Sequence, residues 1–182
     1  MNEEVLDIVY GKIEVKEAEE RHILVLLVDN EFGVLNRVIG LFSARGYNID
    51  ALTVAEVDEK KHRSRITIAT RGSESVIEHI MNLLERMVPV HKVHDLTVEG
   101  AHVERELALV KVAGEGDDRV EALRIADIFR AKAVDTTTES FIFELTGTTA
   151  KIDAFVELMR PLGLVEISRT GATAMARGRK GL

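Results

Sequence analysis

The chain has 182 residues, 46% of them apolar and 30% charged, which suits one ordinary domain or two small ones. Its 24 basic and 31 acidic residues leave a net charge of −7, which argues against a general nucleic-acid binder, and the lack of cysteine removes disulfides, thiolate nucleophiles and cysteine metal sites together. No run is long and apolar enough to span a membrane, because Asp29 and Asn30 cut off the best candidate, and the acidic start (Glu3, Glu4, Asp7) is unlike a secretory signal, so the default expectation is a soluble cytoplasmic protein.

Residues 1–20 do not share the periodicity of the rest and read as an acidic N-terminal extension, either a loose or partly ordered arm or a strand or helix packed on the body. Residues 23–28 form an apolar run that predicts a buried strand. A polar turn leads into a helix over 33–45, with Val34, Leu35, Val38, Leu41 and Phe42 on one face. Gly46 is placed to end that helix in the left-handed conformation. A long strand over 47–57 follows, then a charged turn at 58–61. In the next strand, 63–71, Ile66 and Ile68 alternate with polar neighbours, as in a half-buried sheet. The helix over 73–87 buries Val76, Ile77, Ile80, Leu83, Leu84 and Met87; Ser75 and Glu78 have capping-box spacing, and Ser73 competes as the N-cap. Pro89 marks the exit, and 90–98 returns as a strand.

The second half repeats this order. Residues 106–112 predict a strand, 114–116 a glycine loop, and 117–130 a helix whose acidic start suits its positive end. A hairpin over 132–138 and 140–147 leads to a helix over 149–162, ended by Gly163, and to a last strand over 164–170. The basic tail Arg177-Gly178-Arg179-Lys180 reads as a solvated terminus. The order βαββαβ, twice, predicts an α+β protein of two tandem ferredoxin-like domains, 21–99 and 100–182, with 99–102 as the linker. Each such module leaves one sheet face uncovered by its own helices. A module of about 75 residues buries only a modest core, so pairing with another module, and hence homodimerisation, is expected.

The turn between the first strand and helix is the strongest candidate for binding. A helix N-terminus exposes unpaired N–H groups and a partial positive charge, and around Gly33, Val34 and Leu35 these suit a carboxylate. Asn30 offers both donors and an acceptor for a zwitterion, and Asn48, after the helix, could close the site from the same or a neighbouring chain. Asn30 serves equally as a turn or cap residue, and Gly33 as a steric convenience. Elsewhere the catalytic patterns are missing. His91 and His94 fall on opposite faces of a strand, and the remaining histidines are isolated, so no metal site is expected. Gly114-Glu115-Gly116 lacks the Lys and Ser/Thr of a phosphate loop, and no serine sits in a nucleophile elbow. Asp117-Asp118 fits a helix start, and aromatic residues, at 4%, are too few for a stacking RNA surface.

The motifs Asp29-Asn30-Glu31-Phe32-Gly33-Val34-Leu35, Arg37-Val38-Ile39-Gly40-Leu41-Phe42, Arg45-Gly46-Tyr47-Asn48-Ile49 and Leu52-Thr53-Val54-Ala55 resemble the ACT domain of the acetolactate synthase small-subunit family. The resemblance continues through Gly100 to Leu107, Ile128 to Lys132, Thr146-Gly147-Thr148, Lys151 to Phe155 and Ser168 to Gly171, so it covers about nine-tenths of the chain and leaves out the extension. It implies a non-catalytic regulatory subunit, with Asn30, Gly33, Val34 and Leu35 contacting valine on one chain and Asn48 and Ile49 facing them. It implies a homodimer through ACT domains and a catalytic large subunit as partner; thiamine diphosphate, magnesium and FAD are expected on that partner, with no cofactor and no metal on this chain. The alternative is a free-standing ACT sensor acting on another enzyme. Phe32 and Asn36 stand where relatives have smaller residues, which bears on the shape of the pocket.

Overall fold

The computed structural model describes residues 8–9, 12–13, 18–179 and 181–182. In the extension, β1 (Ile8–Val9) and β2 (Lys12–Ile13) form a short antiparallel pair, while the expectation of a loose arm falls mostly outside the described residues.

The first unit runs β3 (Glu20–Asp29), α1 (Val34–Ala44), β4 (Ile49–Asp58), β5 (Arg63–Gly72), α2 (Glu74–Glu85) and β6 (Val90–Asp95). Its four-stranded antiparallel sheet has the order β4-β5-β3-β6. Leu24, Leu26, Val28, Ile66 and Ile68 point from the sheet to meet Val34, Val38 and Phe42 of α1 and Ile77, Ile80 and Leu84 of α2. This is the helix periodicity of 3.6 laid on the strand periodicity of 2. After α1 the N–H of Gly46 bonds the Ser43 carbonyl and that of Tyr47 bonds the Phe42 carbonyl, with Gly46 left-handed at φ +71°, a Schellman ending. Ser73, not Ser75, is the N-cap of α2.

The second unit repeats the plan with β7 (His102–Val112), α3 (Gly116–Phe129), β8 (Lys132–Thr136), β9 (Phe141–Gly147), α4 (Thr149–Met159), a 3-10 turn (Arg160–Leu162) and β10 (Leu164–Arg169). The sheet order β8-β9-β7-β10 matches that of the first unit, strand for strand. Phe143 and Phe155, with ring centroids 6.1 Å apart and edge-on, centre its core.

The structure departs from the sequence reading at the junction and at the end of the chain. The strand expected over 90–98 stops at Asp95, and His102, placed in the linker, already belongs to β7. A strand that no periodicity announced, β11 (Thr173–Ala176), pairs antiparallel with residues 102–105 of β7, so the basic tail follows a strand directly. The link between β10 and β11 lies against the open face of the first sheet, where Ala172 and Ala174 bury with Ile23, Val25, Ala69 and Leu96. Part of the face expected to need another module is therefore covered by the chain itself.

Candidate functional site

The turn after β3 is anchored from both flanks: the Asp29 N–H donates to the Pro89 carbonyl at 2.9 Å and the Asn30 N–H to the His62 carbonyl at 2.7 Å. Gly33 follows as the N-cap of α1 at φ +82°, a left-handed conformation that a side chain would strain. No atom lies within 4 Å of the place where its Cβ would be, so the space in front of the backbone is open. No side chain caps α1, and its first turn holds no acidic residue. Apart from the Val34 N–H, which donates to the Glu31 carbonyl at 3.4 Å, the donors and the partial positive charge at this helix end have no side-chain cap. Asn30, Glu31, Phe32, Gly33, Leu35 and Asn36 line an open hollow of about 680 Å³. Phe32 stands wholly exposed at its lip. Val34, expected to contact the ligand, turns into the core at 2% exposure and does not line the hollow, whose apolar side chains are Phe32 and half-buried Leu35.

Asn48 and Ile49 lie elsewhere. Strand β4 runs parallel to β3 across β5: Ile49 is level with Thr70, which pairs with His22, whereas Asp58 is level with Arg63, which pairs with Asp29. Asn30 is eight residues beyond His22 along the chain, so at the strand rise the two halves of the motif are roughly 25 Å apart. The same-chain closure left open by the sequence is excluded by this register. Asn48 is exposed; its amide donates to Asp50 Oδ1 at 2.8 Å and its carbonyl accepts from Thr70 Oγ1 at 2.6 Å.

Beside Asn48, a cleft of about 580 Å³ separates the two units, with Arg21, Asp50, Arg71, Glu106, Asp153 and Arg169 among its walls. Arg71 Nε donates to Asp50 Oδ2 at 3.0 Å. Arg21 donates to both carboxylate oxygens of Glu104, at 2.5 and 3.0 Å, and Glu104 also accepts from Thr149 Oγ1 at 3.5 Å. Arg169 holds Glu106 through two bonds of 2.7 and 2.8 Å and Asp153 through one of 2.6 Å. The bonds from Arg21 hold the Glu104 carboxyl below the usual carboxylate range, and those from Glu106 raise the Arg169 guanidinium. These residues escaped the sequence reading because the pairs are 83 and 63 residues apart, which leaves no local pattern.

Three of the six histidines pair with carboxylates. His22 and Asp95 form a buried pair at 2.6 Å, His91 meets Asp29 at 2.5 Å, and His94 meets Glu99 at 2.7 Å. Among the described residues no group of three metal-capable side chains assembles, and no helix is long and apolar enough to cross a membrane.

Known proteins match both units of the chain. A family model described as an AHAS small subunit-like ACT domain matches residues 24–92, and one described as the small subunit of acetolactate synthase matches residues 105–178. The acetolactate synthase isozyme 3 small subunit of Escherichia coli (strain K12) is 46% identical over 161 residues, covering 88% of this chain and 98% of its own. A probable acetolactate synthase small subunit of Archaeoglobus fulgidus is 42% identical over 160 residues, covering 88% and 99%. The crystal structure of the acetolactate synthase small subunit from Thermotoga maritima has a TM-score of 0.80 at 37% identity, covering 88% of this chain and 99% of that one.

Proposed function

The chain belongs to the acetolactate synthase small-subunit family, with an ACT-type first unit, and from that premise we propose that it is a non-catalytic regulatory subunit. In this reading it activates a thiamine-diphosphate-dependent acetolactate synthase catalytic subunit and makes it subject to feedback inhibition by valine.

The observation that carries the effector site is the separation of its two halves. The uncapped end of α1 at Gly33 suits a carboxylate and Asn30 suits an ammonium group, while Asn48 and Ile49 lie at the far end of the sheet. A second copy supplies what one chain lacks. Strand β4 is the edge of its sheet and leaves Val54 and Val57 exposed. Antiparallel pairing of two β4 edges about a twofold axis brings Asn48 and Ile49 of one chain level with the turn of its partner. Leu35 and the partner's Ile49 then flank the ligand side chain, and burying an isopropyl group contributes roughly 1.5–3 kcal/mol. Two sites at one twofold interface couple binding to dimer geometry, which is what a regulatory subunit requires.

The test is isothermal titration with valine, with leucine, isoleucine and aspartate as controls, on the unaltered chain and on Gly33→Asp. Valine heat saturating near one site per chain is expected, lost in Gly33→Asp, because the new carboxylate occupies the place of the ligand's own. That variant should still activate the catalytic subunit. Normal valine inhibition in Gly33→Asp would overturn the site assignment.

A further inference from the structure

Between the effector strand and the second unit runs a row of paired polar side chains. Asn48 is held by Asp50, and Asp50 by Arg71. Arg71 stands directly across the β3–β5 pair from Arg21. Arg21 grips Glu104 with both arms of its guanidinium, and Glu104 reaches Thr149, the first residue of α4. The same strand is also buttressed by backbone. Thr53 Oγ1 donates to the Ala172 carbonyl at 3.0 Å, and Gly171 lies so close that a Cβ there would meet the Ala51 Cβ at 3.2 Å. Strand β4 therefore meets the second unit at both of these places.

We propose that Asp50, Arg71, Arg21 and Glu104 are positioning residues that tie the effector contact Asn48 to the second unit, so that effector occupancy is sensed by α4 across the cleft. This rests on the effector reading above and names the residues through which the site acts. Asp50 sets the Asn48 amide on the first unit. The Arg21–Glu104 pair crosses between the units, and its bidentate geometry permits one orientation of the two carboxylate oxygens. A shift of Asn48 on ligand binding changes the Asp50–Arg71 pair, and with it the charge of Asp50 that Arg21 feels across the same strand pair. Coupling is a property of the pair and not of either residue, so it is measured by a double-mutant cycle.

The experiment uses the unaltered chain, Arg21→Met, Glu104→Gln and the double variant. Each is titrated with valine by calorimetry, then mixed with the catalytic acetolactate synthase subunit and assayed for inhibition. Valine affinity should stay within about threefold of the unaltered chain, while the valine concentration for half inhibition rises roughly tenfold. The double variant should be no worse than either single one, the signature of a shared interaction. A merely structural pair would weaken binding and inhibition in proportion, and that result overturns the proposal, as does unchanged inhibition or additivity in the cycle. Should the unaltered chain neither bind valine nor confer inhibition, the effector reading fails and takes this proposal with it.

Discussion

Gly33 shows how a missing side chain can matter twice. Its left-handed φ of +82° needs no Cβ, and the absence of that Cβ leaves the end of α1 open to a ligand carboxylate. The turn at Asn30 and Gly33 was legible because turn chemistry is local, and so was the apolar face of α1 that buries Val34; only the packing decides that Leu35, on the same face, stays half-buried beside the hollow. Glu104 belongs to the same scale. Its carboxyl is held below the ordinary value by Arg21. A depressed carboxyl stabilises the fold above its unfolded pKa, and that stability is lost as pH falls through its folded value. The stability difference between the unaltered chain and Glu104→Gln should be constant from neutral pH down to the ordinary carboxylate range and shrink below it. Urea unfolding at a series of pH values reads this; a difference that ignores acid would mean that the bridge does not form in solution. The pair is partly exposed, so the effect is small.

At the level of elements, the helices and most strands follow from hydrophobic period and punctuation. The Schellman ending at Gly46 and the left-handed Gly163 sit where the sequence placed them. Strand β11 is the exception. Thr173-Ala174-Met175-Ala176 has little β-propensity and its one large apolar side chain, Met175, stays exposed, yet the strand is held by β7 on one edge and by the first sheet beneath. Small residues are what the place demands, since Ala51 and Ala69 lie opposite Gly171, Ala172 and Ala174. Gly171→Val should therefore cost about 2–4 kcal/mol, from left-handed strain together with overpacking. An unchanged urea midpoint in that variant would show that the seam contributes nothing.

For the whole molecule, two sheets of one topology share an interface and still leave the β4 edge open. If two β4 edges pair about a twofold axis at Val54, near the middle of the strand, Val54 lies opposite its own copy. Val54→Lys then sets two ammonium groups against each other across the pair, a destabilising like-charge contact. The variant is expected to sediment as a monomer of 20.2 kDa and to lose valine binding, with its fold intact by circular dichroism. A variant that stays dimeric would place the interface on another surface.

The sequence by itself determined the βαββαβ order, the helix faces, the two cores and the turn at Gly33, because each depends on residues within a few positions of one another. It also carried the family, through motifs read in order along both halves. The tertiary structure alone decided that Asn30 and Asn48 lie at opposite ends of one sheet, that the end of the chain returns to cover the first sheet, and that Arg21 meets Glu104. Those facts follow from strand register and from pairs far apart in sequence, which are set by the closing of the whole fold and leave no trace in local pattern.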